Sequence, residues 1–273
     1  MTMSDIPIIV GHQDTLLNLY LPERGHGRDF FERSEIGHID LPRAQAGGIG
    51  GGFFAIFIPP PASVPVLPTG GLTLTAHGYT IPLPDPLEPE YALHTTLAMV
   101  ALLFRLEARS QGQLKVVQTV AELENCLQTG VHAALLHFEG AEAIDPDLDA
   151  LEVFYRAGLR SLGPVWSRPN RFGHGVPFQF PYSPDTGPGL TEAGKRLALA
   201  CNRLGIMLDL SHLNEQGFWD IAALSDAPLV ATHSNAHALC ASSRNLTDKQ
   251  LAAIKESQGL VGLNFSVPDV RLD

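Results

Sequence analysis

The stretch GIMLDLSHLNEQGFWDIAALSDAPLVATH, Gly205 to His233, decides how the whole chain is read. Ile206 to Leu210 is a short apolar run after a glycine, the pattern of a buried strand. Glu215 to Leu224 reads as a helix, and Leu229 to Thr232 as a second short strand. Strand, helix and strand in immediate succession make a right-handed βαβ unit with its strands parallel. A histidine stands just past each strand, His212 past the first and His233 past the second.

The same alternation extends in both directions. Upstream, Thr191 to Gly205 carries Ala193, Leu197, Ala200, Cys201 and Leu204 at helical spacing, and Gly205 ends it. Downstream, Thr247 to Glu256 is helical, with Thr247 as its cap and Gly259 beyond its end; Leu260 to Phe265 is strand-like. Toward the N-terminus, strands are expected at Ile6 to Val10, Gly51 to Ile58 (GGFFAIFI), Ala133 to Phe138 and Leu159 to Leu162. Helices are expected at Leu87 to Arg109 and Leu148 to Arg156. Lys115 to Gln118 is placed outside the main sheet, as a short strand or connector. Pro59 to Pro89 and Phe172 to Pro188 are long loops rich in Pro and Gly, of the kind that form lids or insertions. With no repeat and no linker, residues 1–273 are expected to be one α/β domain, a (β/α) barrel.

Composition narrows the function. The 18 Lys and Arg stand against 29 Asp and Glu, a net charge of −11. Nucleic acid and anionic membrane both need a basic surface, so neither is expected as the partner. No apolar stretch reaches the roughly 18 residues of a membrane span. The first ten residues hold Asp5 and no Lys or Arg, unlike the basic start of a secretory signal. Three scattered cysteines, Cys126, Cys201 and Cys240, argue against a disulfide framework or a cysteine zinc site. A reducing compartment, the cytoplasm, is the expected location.

The chemistry lies in His and acidic residues at strand ends. His12 and Asp14 follow the first strand two residues apart, so their side chains can converge. Glu139 follows Ala133 to Phe138, and His212 and His233 close the two strands of the opening stretch. All five then share the C-terminal rim of a barrel, where active sites sit. Singly, a histidine at a strand end is more often structural, and Glu139 could cap a helix or pair with Arg160. Together, imidazoles and carboxylates on one rim suit a pair of Zn²⁺ or similar ions. His174 and His237, in loops assigned to the same rim, could touch a substrate.

Several of these segments together resemble one family. GHQDT (Gly11 to Thr15), HFEGAEAI (His137 to Ile144), LDLSH (Leu208 to His212), ATHSNA (Ala231 to Ala236) and SSRN (Ser242 to Asn245) are similar, in order, to the membrane (renal) dipeptidases. The resemblance implies a binuclear zinc hydrolase on an amidohydrolase-type TIM barrel. It implies that His12 and Asp14 bind one zinc, His212 and His233 the other, and that Glu139 bridges both. It implies that a zinc-bridged hydroxide attacks the peptide bond of a dipeptide, in some relatives one with a C-terminal D-residue. It implies that Arg244 holds the substrate carboxylate, a role that suits a bidentate, permanently charged guanidinium. A homodimer is implied as well.

Two departures from the family pattern carry expectations of their own. In GLRSLGPVWSRPN (Gly158 to Asn170), Trp166 stands where the animal enzymes place a substrate-contacting histidine. An indole donates one hydrogen bond and cannot become cationic, so oxyanion stabilisation or substrate range should differ. The second departure is the end at Asp273, soon after the seventh strand counted here. An eighth barrel strand, with the Asp that the family assigns to protonating the leaving amine, is expected to be missing; the chain is then a fragment, or a second polypeptide completes it. Two other functions fit the same residues: a catalytically silent metal-binding relative serving as an interaction module, and another amide or lactam hydrolase on the same barrel.

Overall fold

The computed structural model describes residues 6–63 and 71–270. Residues 1–5, residues 64–70 of the first proline-rich loop, and the end at Asp273 lie outside them. In chain order the elements are β1 (Ile8–Gln13), α1 (Thr15–Tyr20), α2 (Pro22–Gly25), α3 (Leu41–Ala46), β2 (Ile49–Ile56), β3 (Thr73–Thr75) and β4 (Gly78–Ile81). Next come α4 (Pro89–Arg109), β5 (Leu114–Val116), α5 (Val120–Thr129), β6 (His132–Glu139), α6 (Asp149–Arg156), β7 (Leu159–Gly163) and β8 (Phe178–Phe180). The rest are α7 (Glu192–Leu204), β9 (Met207–Leu208), α8 (Glu215–Leu224), β10 (Val230–Ala231), α9 (Asp248–Glu256), β11 (Leu260–Val261) and α10 (Val267–Val270).

The helices begin and end where local chemistry dictates. Thr119, Thr191, Asn214 and Thr247 cap α5, α7, α8 and α9 by accepting a backbone N–H of the first turn. Thr247 and Gln250 form a full capping box. Gly205 closes α7 in the left-handed conformation, which a glycine adopts without a Cβ penalty. On α4, Ala92, Thr95, Thr96, Met99, Val100, Leu103 and Leu106 form the buried stripe that packs on the sheet.

Parallel pairing runs β1-β2-β6-β7-β9. A parallel bridge between Asp209 and Val230 then leads to β10, which pairs in parallel with β11. The series curls back on itself. A Cβ built on Gly11 of β1 would meet the backbone oxygen of Thr232, after β10, at 2.2 Å, so the two chains touch backbone to backbone there. Alternation sorts the side chains. On β6, Leu136 and Phe138 enter the main apolar cluster under the helices, while His137 and Glu139 occupy the opposite face.

Lys115 to Gln118 requires a correction. β5 belongs to the main sheet, pairing Leu114–Val116 in parallel with His132–Ala134. It takes the first half of the β6 edge whose second half pairs with β7. Leu114 and Val116 point inward and Lys115 outward, an alternation too short to read from sequence. The two long loops also contain structure. β3, β4 and β8 form a three-stranded antiparallel sheet that joins them. No helix among the described residues is long and apolar enough to cross a membrane.

Candidate metal centre

The strand ends converge as the sequence requires. His12 lies within β1 and Asp14 just past it; Glu139 is the last residue of β6; His212 and His233 follow β9 and β10. The Nε2 of His212 is 3.0 Å from Glu139 Oε1, and that of His233 is 3.5 Å from the same oxygen. The two Nε2 atoms are 2.9 Å apart. The other carboxylate oxygen, Oε2, faces His12 Nε2 at 3.8 Å. Asp14 stands at the edge of the group, Oδ1 3.6 Å from His12 Nε2 and Oδ2 3.9 Å from Arg24. Arg160, the alternative partner for Glu139, instead donates to the carbonyls of Gln118 and Tyr155.

The rings of His212 and His233 are fixed from behind. Ser167 Oγ lies 3.1 Å from His212 Nδ1, and Thr232 Oγ1 lies 2.8 Å from His233 Nδ1. Ser167 is itself held beside Arg168, whose guanidinium is buried on Glu142 Oε1 and the Ile58 carbonyl. His212 has a φ of 69°, a left-handed backbone that costs a non-glycine residue about 1–2 kcal/mol. Val176, donating its N–H to the His212 carbonyl, helps hold that conformation.

Burial and charge set the protonation pattern. Burial, with Arg244 near His212 and His12 near His233, pushes these two imidazoles well below the ordinary histidine range. Burial would lower His12 too, but the carboxylates of Glu139 and Asp14 outweigh it and push it up to about 9. Glu139 is held below the usual carboxylate range, because His12 and His212 outweigh the burial that would raise it. Asp209, buried beneath the site, is likewise pulled down to about 2, as His233, His137 and Thr232 outweigh burial.

The donor set fits a divalent cation of the zinc type. Two neutral imidazole nitrogens and a carboxylate oxygen stand 2.9, 3.0 and 3.5 Å from one another. Ligand atoms about 2.1 Å from a tetrahedral zinc are separated by about 3.4 Å. Ligand atoms of His12, Glu139 and His233 also fall within 4.8 Å of one another.

A cavity of about 270 Å³ opens over these residues, lined also by Trp166 and Arg244. Arg244 is 4 % exposed, and its Nη2 donates to the His233 carbonyl. No carboxylate lies within ion-pair distance of it among the described residues, so this buried guanidinium faces the cavity with bonds to spare. Its loop is tied down at every step. Ser242 donates to Asp269, Ser243 N donates to the Gln179 carbonyl of β8, and Asn245 donates to the carbonyls of Cys240 and Asp269. Trp166 stands edge-on to Phe57 at 4.9 Å and beside His212 at 5.8 Å between ring centres. It serves both as packing and as cavity wall.

His174 and His237 do not reach the cavity. His174 Nδ1 donates to the Gly189 carbonyl and His237 Nε2 to that of Tyr182, so both are structural. Sequence reading missed Arg24, Phe57, Phe178, Asn264 and Asp269, which line the cavity. It also gave no role to Asp209 and Thr232, although both lie inside the quoted motifs LDLSH and ATHSNA.

Known proteins share this arrangement of sequence and fold. The family described as "Membrane dipeptidase (Peptidase family M19)" matches residues 1–271. A protein of Acinetobacter calcoaceticus, described as "Uncharacterized protein in PQQ-III 3'region", is 42% identical over 272 residues, 98% of this chain and 83% of its own length. One from Klebsiella pneumoniae, from the pqqA 5' region, is 51% identical over 174 residues, 64% of each chain. Two solved structures superpose with TM-scores of 0.87 at 52% identity, covering 97% of this chain. One is dipeptidase AC, a metallopeptidase of family M19, of which 75% is covered. The other is a metallopeptidase from Rhodobacter sphaeroides liganded with a phosphinate mimic of the dipeptide L-Ala-D-Ala, of which 76% is covered.

Proposed function

Because the chain belongs to the membrane dipeptidase family, peptidase family M19, we propose that it is a zinc-dependent dipeptidase whose substrate enters the cavity over His12, Glu139, His212 and His233. One observation carries this reading. Glu139 turns one carboxylate oxygen toward His212 and His233 and the other toward His12, and the buried Arg244 guanidinium, without a carboxylate partner among the described residues, opens onto the same cavity.

In this reading His12 and Asp14 would hold one Zn²⁺, His212 and His233 would hold a second, and Glu139 would contribute to both. Bound there, such ions supply Lewis-acid polarisation of the scissile carbonyl and a hydroxide nucleophile at neutral pH. The protein's own groups do the rest. Arg244 takes the substrate's free carboxylate through two parallel N–H bonds and so fixes the distance from that end to the scissile carbonyl. Phe57, Trp166 and Phe178 wall the cavity with apolar surface, which excludes water and receives a side chain. Trp166 offers the carbonyl oxygen at most one neutral hydrogen bond. The phosphinate mimic of L-Ala-D-Ala in the Rhodobacter sphaeroides structure favours dipeptides with a C-terminal D-residue as substrates.

The fold we infer is a (β/α)8-type barrel within residues 1–273, with β1, β2, β6, β7, β9, β10 and β11 as seven of its strands. The backbone contact between Gly11 and Thr232 supports the closed curvature. An eighth strand would pack against β11, whose flank presents Leu263 and Phe265 at 73% and 86% exposure. Assembly as a homodimer and residence in the cytoplasm complete the proposal, the latter consistent with three free, buried cysteines.

The test is direct. Zinc-loaded protein should release free alanine from L-Ala-D-Ala. Metal-replete protein that leaves both L-Ala-D-Ala and L-Ala-L-Ala intact would refute the assignment.

A further inference from the structure

Behind His233 lies a chain of buried polar groups that extends away from the cavity. Asp209 is 1% exposed. Its Oδ1 accepts the backbone N–H groups of Ser211 and Thr232 at 3.0 and 2.9 Å, and its Oδ2 accepts the Thr232 hydroxyl at 2.6 Å. The Thr232 oxygen in turn lies 2.8 Å from His233 Nδ1. No guanidinium or ammonium is paired with this carboxylate among the described residues; the rings of His137 and His233 are near it, at 3.6 and 3.9 Å.

We propose that Asp209 and Thr232 are positioning residues that fix the tautomer of His233 and present its Nε2 lone pair to a divalent cation. The direction of every bond follows from the first. An ionised carboxylate only accepts, so the Thr232 hydroxyl donates its one hydrogen to Asp209. The hydroxyl oxygen is then left as an acceptor, and His233 must bring the hydrogen on Nδ1. A neutral imidazole with hydrogen on Nδ1 has a bare Nε2, and that atom faces Glu139 Oε1 at 3.5 Å. The negative charge on Asp209, passed through a hydroxyl and a ring, makes Nε2 a stronger donor to a metal. A cation held on Nε2 would in turn balance the buried charge of Asp209 across the ring. His212 has a weaker version of the same support: Ser167 alone, with no carboxylate behind it among the described residues.

This inference rests on the metal-site reading, and the experiment separates the two. The full chain is stripped of metal, and zinc affinity is measured by competition with a chromophoric chelator, alongside the visible spectrum of cobalt-loaded protein. Thr232→Val keeps the shape and loses the hydroxyl; Thr232→Ser keeps the hydroxyl. Thr232→Val is expected to weaken zinc binding about 10- to 100-fold and to shift the cobalt bands, and Thr232→Ser to restore both. Unmodified protein that binds no zinc would overturn both readings. Zinc binding and cobalt bands unchanged by Thr232→Val would overturn the positioning role alone. Should the valine variant fail to fold, nitrogen NMR of the unmodified, metal-free protein decides. Hydrogen on Nδ1 of His233 upholds the proposal, and hydrogen on Nε2 overturns it.

Discussion

Glu139 Oε1 lies 3.0 Å from the Nε2 of His212, while the other oxygen of the same carboxylate turns to His12. One side chain therefore serves both halves of the cluster. Glu139→Gln keeps the shape and removes the charge. It should lower metal content from both halves together and cut kcat at least about a hundredfold. Metal analysis of the dialysed variant checks this; full stoichiometry would contradict a shared ligand.

Arg244 is expected to recognise the free end of the substrate. Arg244→Lys retains charge but loses the planar fork, so it should still lose about 10- to 100-fold in kcat/KM, mostly through KM. Dipeptide amides, which lack the carboxylate, should be equally poor substrates for both proteins. Kinetics on matched acid and amide pairs would expose a wrong assignment if the amides were cleaved as well as the acids.

His132 should make stability fall on acidification. Its ring is 2% exposed, neither ring nitrogen has a partner, and Phe30 and Phe54 meet it edge-on, both at 6.0 Å. Burial pushes it down to about 4 in the folded chain, against 6.5 when exposed. The folded protein thus refuses a proton that the unfolded chain accepts. Above pH 6.5 the ring is largely neutral folded or unfolded and adds no pH dependence, and stability drains away as pH falls from there toward 4. Between pH 7 and pH 5 this one residue accounts for a loss of about 2 kcal/mol. Urea unfolding at the two pH values should show His132→Phe losing that much less than the unmodified protein.

Gly11→Ala should loosen the centre from a distance of one residue. The added methyl would sit 2.2 Å from the Thr232 backbone oxygen, which has no side-chain freedom to yield. A cost of about 1–3 kcal/mol is expected, together with displacement of His12. Thermal unfolding and zinc affinity should fall together. A variant with lower stability but unaltered zinc binding would show that β1 absorbs the shift before it reaches His12.

His212 and His233 were readable because each follows a short apolar run with a helix between, and a parallel strand delivers its next residues to the rim. The same logic reached His12 and Glu139. It failed for Lys115 to Gln118, because three alternating residues do not distinguish a strand from a connector. It failed for β3, β4 and β8, whose residues are exposed or half-buried throughout and carry no apolar periodicity. It failed for His174 and His237 because the path of a loop is not periodic at all. Arg24 and Asp269 enter the cavity from the four-residue helices α2 and α10 and Asn264 from a loop, segments too short or irregular for their spacing to announce them.

The binding of the Ser242–Asn245 loop to β8 links two parts of the molecule that engineers would treat separately. Ser243 and Gln179 exchange backbone and hydroxyl bonds, and Tyr182 bonds Ala241 just beyond. A graft of residues 178–182 from a relative would therefore drag the guanidinium along with the aromatic wall. Selectivity for one end of a peptide and for its flanking side chain will evolve, or be redesigned, as a single heritable block.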